Sequence, residues 1–490
     1  MRRALLTAAL LALACASRPQ AEPAPAAGAQ DVLPGEREAL AREPALGPIP
    51  PFEGPVPRIE VLPNGLPLYI VERPGAGIEA IQLWIRGGAT ADPEASPGLA
   101  SLTAELMEAG AAGKTQTEIA AAADAIGMSL GVNALQDAVV VSGSAMTVSL
   151  APMTALLADV ALRPDLLETE WEKVRAQREA MLLAERAEPA VAALRAFRAA
   201  VFAGTALGRP IEGTLAAVKR TNLADVRATY ASFGPGNAAL VAVGGADPAK
   251  VVAALRSAFG TWQGGKARAA ARLAEPPGVR PRLVFVDYPG KPQSVLVVGQ
   301  PAVPRSSPDH LALEVLNAVV GGSFTSRLNQ NLREQHGYSY GASSRFEWTL
   351  GRSPFSARSS VKTDVTGPAL TEMLSELRRA ADEPLQQAEL DKGRALLAYR
   401  LVDTLSHASQ LAAAVAQIWL YSLPVDEYRT YVPRLQSLSV DSIQAAAHRA
   451  LQPARMTIAV AGDKTRVLPQ LAPLSLGPPE LRDPAGDRLP

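Results

Sequence analysis

Histidine and cysteine are the side chains most often used to bind catalytic metals, and this chain has few of them in a useful pattern. No two of its four histidines have the i, i+4 spacing that places two ligands on one face of a helix. They are His310, His336, His407 and His448. The single cysteine, Cys15, excludes an internal disulfide and any multi-cysteine metal site. A Gly-x-Ser-x-Gly nucleophile elbow and a P-loop are also absent from the sequence. The residues alone therefore predict no catalytic set.

The composition is typical of a folded globular protein. The chain has 490 residues, of which 48 are basic and 48 acidic, and 48% are apolar. At roughly 150 residues per domain, this length predicts about two to four domains. The zero net charge and the aromatic content of 5% provide neither the basic surface nor the stacking platforms of a nucleic-acid-binding protein.

The N-terminus is predicted to be a targeting segment. Residues 1–14 combine two arginines with an apolar run that is too short to span a bilayer, as in a signal peptide. Cys15 follows small residues, which resembles a bacterial lipobox, and ordinary cleavage after Ala14 or Ala16 is the alternative. We expect a periplasmic protein held at the outer membrane by a lipid on Cys15 alone. Residues 15–57 are predicted to be a Pro/Ala-rich tether.

The rest of the chain is predicted to consist of two similar halves. Residues 239–245 and 456–462 carry the same apolar strand pattern, each after an amphipathic helix. Strands and helices follow one another without a regular βαβ alternation. We therefore predict an α+β fold of two duplicated α/β domains, each an antiparallel-rich sheet with helices packed on one side. The predicted segments are an N-terminal domain at 58–265, a linker at 266–282, a C-terminal domain at 283–470 and a tail at 471–490.

Several motifs, in this order, resemble the pitrilysin/insulinase family of zinc metallopeptidases and its processing-peptidase relatives. Leu62-Pro63-Asn64-Gly65-Leu66 is similar to the family's first strand and turn, and Gly98-Leu99-Ala100 to the segment before its zinc helix. Leu207-Gly208-Arg209-Pro210 resembles a further signature, and the stretch from Gly321 to Tyr340 resembles the most specific C-terminal motif. The resemblance covers about residues 58–465 and implies a processing-peptidase-like fold in both halves.

The chain departs from this family at the zinc site. Active members carry His-x-x-Glu-His on the helix after Gly-Leu-Ala, where the histidines bind zinc and the glutamate activates a water. Here Ser101 and Glu105 stand in place of the histidines, and Ala104 in place of the glutamate. The family's third ligand, a glutamate in a later helix, aligns with Met181, or with Glu179 if the alignment is shifted. The resemblance implies that this chain binds no catalytic zinc.

The family's C-terminal motif, in contrast, is kept. In active members an arginine and a tyrosine seven positions apart bind the substrate backbone and help to stabilise the tetrahedral oxyanion. Arg333 and Tyr340 match this pair, with Tyr338 as an alternative tyrosine. A guanidinium is a permanent donor, and a phenol is a donor that costs little to order. Without the motif, the favoured interpretation of the same residues would be a helix-capping arginine and a buried core tyrosine.

Loss of the zinc motif together with retention of the pair implies a non-catalytic subunit of a heterodimeric peptidase. Such a chain is not expected to be catalytic alone or to hold a cofactor. It would supply peptide binding and oxyanion stabilisation to a homologous partner with an intact His-x-x-Glu-His, which would carry the zinc and hydrolyse unfolded peptides. The alternative is a zinc-free scaffold or peptide-binding protein of the cell envelope, as non-catalytic core subunits of respiratory complexes illustrate for this family.

Overall fold

The computed structural model describes residues 47, 49, 51–265 and 282–489. The predicted signal peptide, Cys15, most of the tether and nearly all of the linker lie outside these ranges. Among the helices that the ranges contain, none combines the length and the apolar character of a membrane span.

The first half of the described chain builds a six-stranded sheet and a small hairpin. Its strands are β1 Arg58–Val61, β2 Pro67–Glu72, β3 Ile78–Arg86, β4 Gly110–Ala111, β5 Lys114–Thr115, β6 Ser129–Ala134, β7 Ala138–Met146 and β8 Ala238–Gly244. The sheet has the order β1-β2-β8-β3-β7-β6, while β4 and β5 form the hairpin. Only β2 and β8 run parallel, and the other neighbours in the sheet are antiparallel.

The second half builds another six-stranded sheet. Its strands are β9 Leu283–Asp287, β10 Gln293–Pro301, β11 Ser339–Phe346, β12 Pro354–Lys362, β13 Thr457–Gly462 and β14 Glu480–Arg482. The order is β11-β12-β10-β13-β9-β14, so β11 is an edge strand.

The two sheets repeat one topology over five strands. The series β2-β8-β3-β7-β6 and β9-β13-β10-β12-β11 have the same order, each with one parallel pair followed by three antiparallel pairs. The sequence repeat predicted that β8 and β13 are equivalent strands, and each lies second in its five-strand series. The predicted α+β class with two duplicated sheets is confirmed. The predicted tail at 471–490 is not separate, because β14 pairs with β9 and extends the second sheet.

Helices cover the sheets. Those of the first half are α1 Leu99–Glu108, α2 Gln116–Ala125, α3 Leu150–Leu162, α4 Glu168–Glu185, α5 Pro189–Val201, α6 Leu215–Arg220, α7 Leu223–Tyr230 and α8 Pro248–Phe259. Those of the second half are α9 His310–Val320, α10 Arg327–Asn329, α11 Thr366–Asp382, α12 Gln387–Ser406, α13 Ala408–Leu420, α14 Tyr431–Ser437, α15 Val440–Ala450 and α16 Lys464–Leu471.

Two of these helices, α5 and α13, are exchanged between the halves. Phe197 and its neighbours on α5 pack against Val295 and Val297 of the second sheet. In return, α13 packs against β3 and β8 of the first sheet. Because side chains alternate along a strand, β3 directs Leu83 toward its own helices and Trp84 toward the opposite core. The expectation of helices on one side is therefore incomplete, since both faces of each sheet are covered.

Polar contacts fasten the exchanged helix α13 to the first sheet. The Gln82 side-chain amide donates to the Ser409 carbonyl at 2.9 Å. At the other end of the helix, the Arg86 guanidinium donates to the Trp419 carbonyl at 2.6 Å and lies 4.4 Å from the centre of the Trp419 ring. A cation at a helix C-terminus satisfies carbonyls that the helix itself leaves unpaired.

The end of the predicted tether is part of the folded body. Ile49 and Phe52 pack against the core of the second half. Gly54 is buried against Tyr428, so closely that an added Cβ would lie 2.5 Å from the Tyr428 carbonyl oxygen. The tether predicted over 15–57 therefore ends earlier than expected, and its last residues pack against the second half before β1 begins.

Candidate functional site

Helix α1 carries the positions that align with the zinc motif, and its start is firmly fixed. The Asp92 carboxylate accepts hydrogen bonds from the backbone N–H groups of Gly98 and Ala100, at 2.8 and 2.9 Å. It thereby satisfies donors that a helix start leaves unpaired. Gly98 has a φ of 95°, and a Cβ there would lie 2.6 Å from the Cα of Gly213. Only glycine fits this approach between α1 and the loop before α6.

A buried arginine occupies the place between the two former ligand positions. Arg178 of α4 donates from Nη2 to Ser101 Oγ at 2.9 Å, and the same nitrogen is paired with the Glu105 carboxylate. Its Nη1 donates to the carbonyl oxygen of Glu212 at 2.7 Å. The Arg178 side chain is only 3% exposed, whereas that of Glu105 is 44% exposed. One guanidinium therefore joins α1, α4 and the loop before α6.

These groups do not fit a zinc ion. A serine hydroxyl is a poor zinc ligand, and the one carboxylate is already paired with a fixed positive charge. Ala104, at the position of the general base, is 1% exposed and has no group that can take a proton. Within the described ranges, no cluster of three His, Cys, Asp or Glu side chains could hold a metal ion.

The nearest further carboxylate on α1 belongs to Glu108. It accepts a hydrogen bond from the backbone N–H of Val132 at 3.2 Å. Burial raises the pKa of Glu108, the bond from Val132 lowers it, and the neighbouring Glu105 raises it further. The carboxyl is thus bound to β6 and does not complete a ligand set.

On α4, a residue other than Met181 contacts the aligned positions of α1. The α4 side chain that reaches Ser101 and Glu105 belongs to Arg178, while Met181, one turn later, is 37% exposed. Arg178 was missed because the aligned stretch of α4 offered no fixed landmark. This helix carries both Arg175 and Arg178, and the sequence does not show which of them faces α1.

Arg333 lies in the second half, in a single π-helical turn, Gln330–Gln335, that continues α10. Such π-helical turns are uncommon in proteins, but many of those that occur lie at functional sites. The Arg333 guanidinium carbon lies 4.4 Å from the centre of the Phe324 ring, and its Nε is 3.4 Å from a Glu334 carboxylate oxygen. The side chain is 36% exposed, so its donors remain accessible from solvent.

Tyr340 lies at the start of the edge strand β11 and is 87% exposed. The pairing of β11 with β12 shifts register between Ser339 and Ala342, which marks an irregularity at Tyr340. An aromatic residue with this exposure is not a core residue, so the alternative interpretation as a buried core tyrosine is wrong.

The competing tyrosine has a different environment. Tyr338 stacks on His336, with ring centres 4.9 Å apart and an angle of 18° between the ring planes, and it packs partly against the second core. His336 in turn lies 4.0 Å from the Glu372 carboxylate. Of the two tyrosines, Tyr340 is the one that is open to a ligand.

His310 belongs to a buried polar cluster in the second half. It is 9% exposed and packs against Trp348, with ring centres 4.4 Å apart and an angle of 56° between the ring planes. Burial and two nearby arginines hold its pKa well below the usual value of 6.5. The charges beside it belong to a buried network in which Arg305 and Arg434 both pair with Glu427, at 3.0 and 2.8 Å.

Two family models match the chain in tandem. The model for insulinase (peptidase family M16) matches residues 70–215, and the model for the peptidase M16 inactive domain matches residues 220–397. Together they cover about two thirds of the chain. The chain belongs to the insulinase family. The resemblance found in the motifs is confirmed, and this member of the insulinase family is one that lacks the zinc motif and is non-catalytic.

Similar proteins align with at least four fifths of this chain. An uncharacterized zinc protease of Streptomyces coelicolor is 24% identical over 408 residues, which are 80% of this chain and 87% of that protein. A peptidase M16 inactive domain from Pseudomonas fluorescens shares the fold with a TM-score of 0.77 and 21% identity, over 83% of this chain and 98% of that chain. A chain of complex III2 from Candida albicans has a TM-score of 0.70 and 16% identity, over 84% and 99%.

Proposed function

We propose that this chain is the non-catalytic subunit of a heterodimeric insulinase-type peptidase. It binds extended peptides and supplies hydrogen-bond donors, while a homologous partner with an intact His-x-x-Glu-His carries the zinc and the attacking water. The observation that supports this division is the contrast between the halves. The zinc positions of the first half are closed by Arg178, whereas Arg333 and Tyr340 of the second half are accessible and make few contacts.

The chemistry assigned to the pair follows from their groups. Arg333 presents the planar set of N–H donors of a cationic guanidinium, and Tyr340 presents one phenolic donor. Both can hydrogen-bond to a peptide carbonyl and to the oxyanion that would develop on it during hydrolysis by a partner. Zinc, when bound by that partner, supplies the nucleophile and polarises the carbonyl.

The test is the activity of the assembled pair. A homologue with His-x-x-Glu-His is mixed with the wild-type chain, with Arg333→Ala or with Tyr340→Phe, and cleavage of an unfolded peptide is followed. Arg333→Ala is expected to lower kcat by about 100-fold, which is typical for loss of an oxyanion donor, and Tyr340→Phe by about 10-fold. The matched control is Arg429→Ala, because Arg429 is an exposed arginine that pairs with Asp426, three residues earlier. Unchanged turnover with Arg333→Ala and intact assembly would contradict the proposal.

We also propose that the pair works in the periplasm, held at the outer membrane by a lipid on Cys15. The basis is the sequence of residues 1–15 alone. Cys15→Ala should release the chain from the membrane fraction into the soluble periplasmic fraction. Equal membrane association of the wild-type chain and the Cys15→Ala variant argues against lipidation.

A second candidate is a zinc-free scaffold of the cell envelope. The observation that favours it is the shared fold with a chain of complex III2 from Candida albicans, since the zinc positions here are closed. Co-purification of the native chain distinguishes the two candidates. A homologue with His-x-x-Glu-His in the complex supports the peptidase, and a stable assembly without any peptidase supports the scaffold.

A further inference from the structure

Phe324 is an exposed aromatic residue in direct contact with Arg333. It is 66% exposed, so phenylalanine gains little of the free energy that burial of its apolar surface would provide. The guanidinium carbon of Arg333 lies 4.4 Å from the centre of its ring. That contact covers part of the ring and leaves the rest to solvent. Packing of the fold does not account for a phenyl group here.

The loop that carries Phe324 is anchored to β11 through Gly321. A Cβ on Gly321 would lie 2.4 Å from the backbone nitrogen of Ser344, so this loop lies directly against β11. The Ser344 N–H donates to the Gly321 carbonyl at 3.0 Å, and the Ser344 hydroxyl donates to the Asn317 side chain at 2.8 Å. Phe324 is therefore presented by an anchored loop.

Asn329 ties together the three segments that carry Phe324, Arg333 and Tyr340. Its side-chain nitrogen donates to the Ser323 carbonyl at 3.2 Å, and its side-chain oxygen accepts from the Ala342 N–H at 2.8 Å. Ser323 adjoins Phe324, and Ala342 is two residues from Tyr340. Asn329 itself is one helical turn before Arg333 and is 8% exposed. One buried amide thus fixes the loop, the helical turn and the edge strand relative to one another.

We propose that Phe324 is a third peptide-facing residue of this site and that it sets its specificity. It orients the Arg333 guanidinium by a cation–π contact and offers its exposed surface to an apolar side chain next to the carbonyl that Arg333 binds. Phe324 positions Arg333, and Asn329 positions both. This inference rests on the proposed function, because it assumes that Arg333 contacts a peptide.

The test separates apolar contact from orientation of Arg333. Two dye-labelled extended peptides, which differ only in a central Leu or Ser, are titrated with the full chain, and the kcat and KM of the assembled pair are measured on the same peptides. Phe324→Ala is expected to weaken binding of the Leu peptide about 5–10-fold and of the Ser peptide about 2-fold. Phe324→Leu keeps the apolar contact, so it should bind the Leu peptide within about 2-fold of wild type. Because Leu cannot stack on Arg333, the same variant should lower kcat of the pair about 3-fold.

Controls keep the proposal falsifiable. Tyr399→Ala removes another exposed aromatic residue of the second half, which is 52% exposed, and should leave both peptides unaffected. If Arg333→Ala weakens binding while Phe324→Ala binds both peptides as wild type does, the inference fails and the proposed function stands. Equal loss of both peptides in Phe324→Ala overturns the specificity role. If the wild-type chain binds neither peptide, or binds them equally well with Arg333→Ala, the proposed function fails and the inference fails with it.

Discussion

Replacement of Arg178 by methionine tests whether a guanidinium has taken over the place between the former zinc-ligand positions. Methionine keeps an apolar stem of similar length but removes every donor. The change would leave Ser101 Oγ and the Glu212 carbonyl without the bonds they now receive, at 2.9 and 2.7 Å, and would leave the Glu105 carboxylate without its cation. We expect a less stable protein with the same fold.

The magnitude follows from the burial of the partners. Breaking a fully buried ion pair costs about 3–5 kcal/mol, because the remaining charge is left unpaired. Here the side chain of Glu105 is 44% exposed, so water can solvate its carboxylate once Arg178 is gone. We therefore expect the free energy of unfolding to fall by about 2–3 kcal/mol. If the compact unit Ile49–Pro490 unfolds as a whole, this corresponds to a fall in Tm of about 2–3 °C.

Equilibrium unfolding in urea, followed by circular dichroism, measures this loss. The matched control is Arg175→Met on the same helix. Arg175 pairs with Glu172 at 2.5 Å, but their side chains are 32% and 52% exposed, so the control should cost less than about 0.5 kcal/mol. Equal stability of the two variants would refute the claim that Arg178 holds α1, α4 and the loop before α6 together.

Three further predictions concern the zinc positions, the exchanged helix and pH. A variant with His-x-x-Glu-His restored on α1 should not retain stoichiometric zinc after dialysis, because Arg178 still occupies the space between the ligand positions. The same variant with Arg178→Glu added should retain zinc. Stoichiometric zinc in the variant that keeps Arg178 would contradict this geometry. Arg86→Met should lower the free energy of unfolding by about 1–2 kcal/mol, since the contacts to Trp419 are lost, and an unchanged urea midpoint would argue against that brace. Burial holds the pKa of His310 below its usual value of 6.5, so the neutral imidazole is the form that the folded protein favours. Its contribution to the free energy of unfolding is fully present above about pH 6.5. That contribution is lost as the pH falls, because the imidazole of the unfolded chain takes up a proton first. Between about pH 7.5 and 5.5 wild type should therefore lose about 1 kcal/mol more than His310→Phe, and equal losses would contradict this assignment.

The sequence predicted the parts of the fold that depend on local patterns. Apolar strand segments such as 239–245 and 456–462 recur in both halves, and they became β8 and β13 at equivalent places in two sheets. The exchange of α5 and α13 was not predictable in this way. An amphipathic period shows that a helix has an apolar face, but it does not show which sheet covers that face. The same limit applies to β14, whose partner β9 is distant in sequence.

The candidate site was predicted unevenly for a related reason. Ser101, Ala104 and Glu105 could be placed because a Gly-Leu-Ala motif directly precedes them. The facing helix has no such motif, and the sequence did not indicate that Arg178 is the residue that reaches α1. Phe324 was visible within a motif, but its contact with Arg333 depends on a loop fold that no periodicity describes. The exposure of Tyr340 likewise accompanies the register shift between Ser339 and Ala342, which no sequence period predicts.

The central claim is that this chain supplies a peptide-binding and oxyanion-stabilising face to a partner's zinc site. The most direct measurement is the peptidase activity of the chain alone, of its His-x-x-Glu-His homologue alone and of the equimolar mixture, with the zinc content of each protein. We predict cleavage only in the mixture and zinc only on the homologue. Cleavage by this chain alone, with one zinc per chain, would contradict the account.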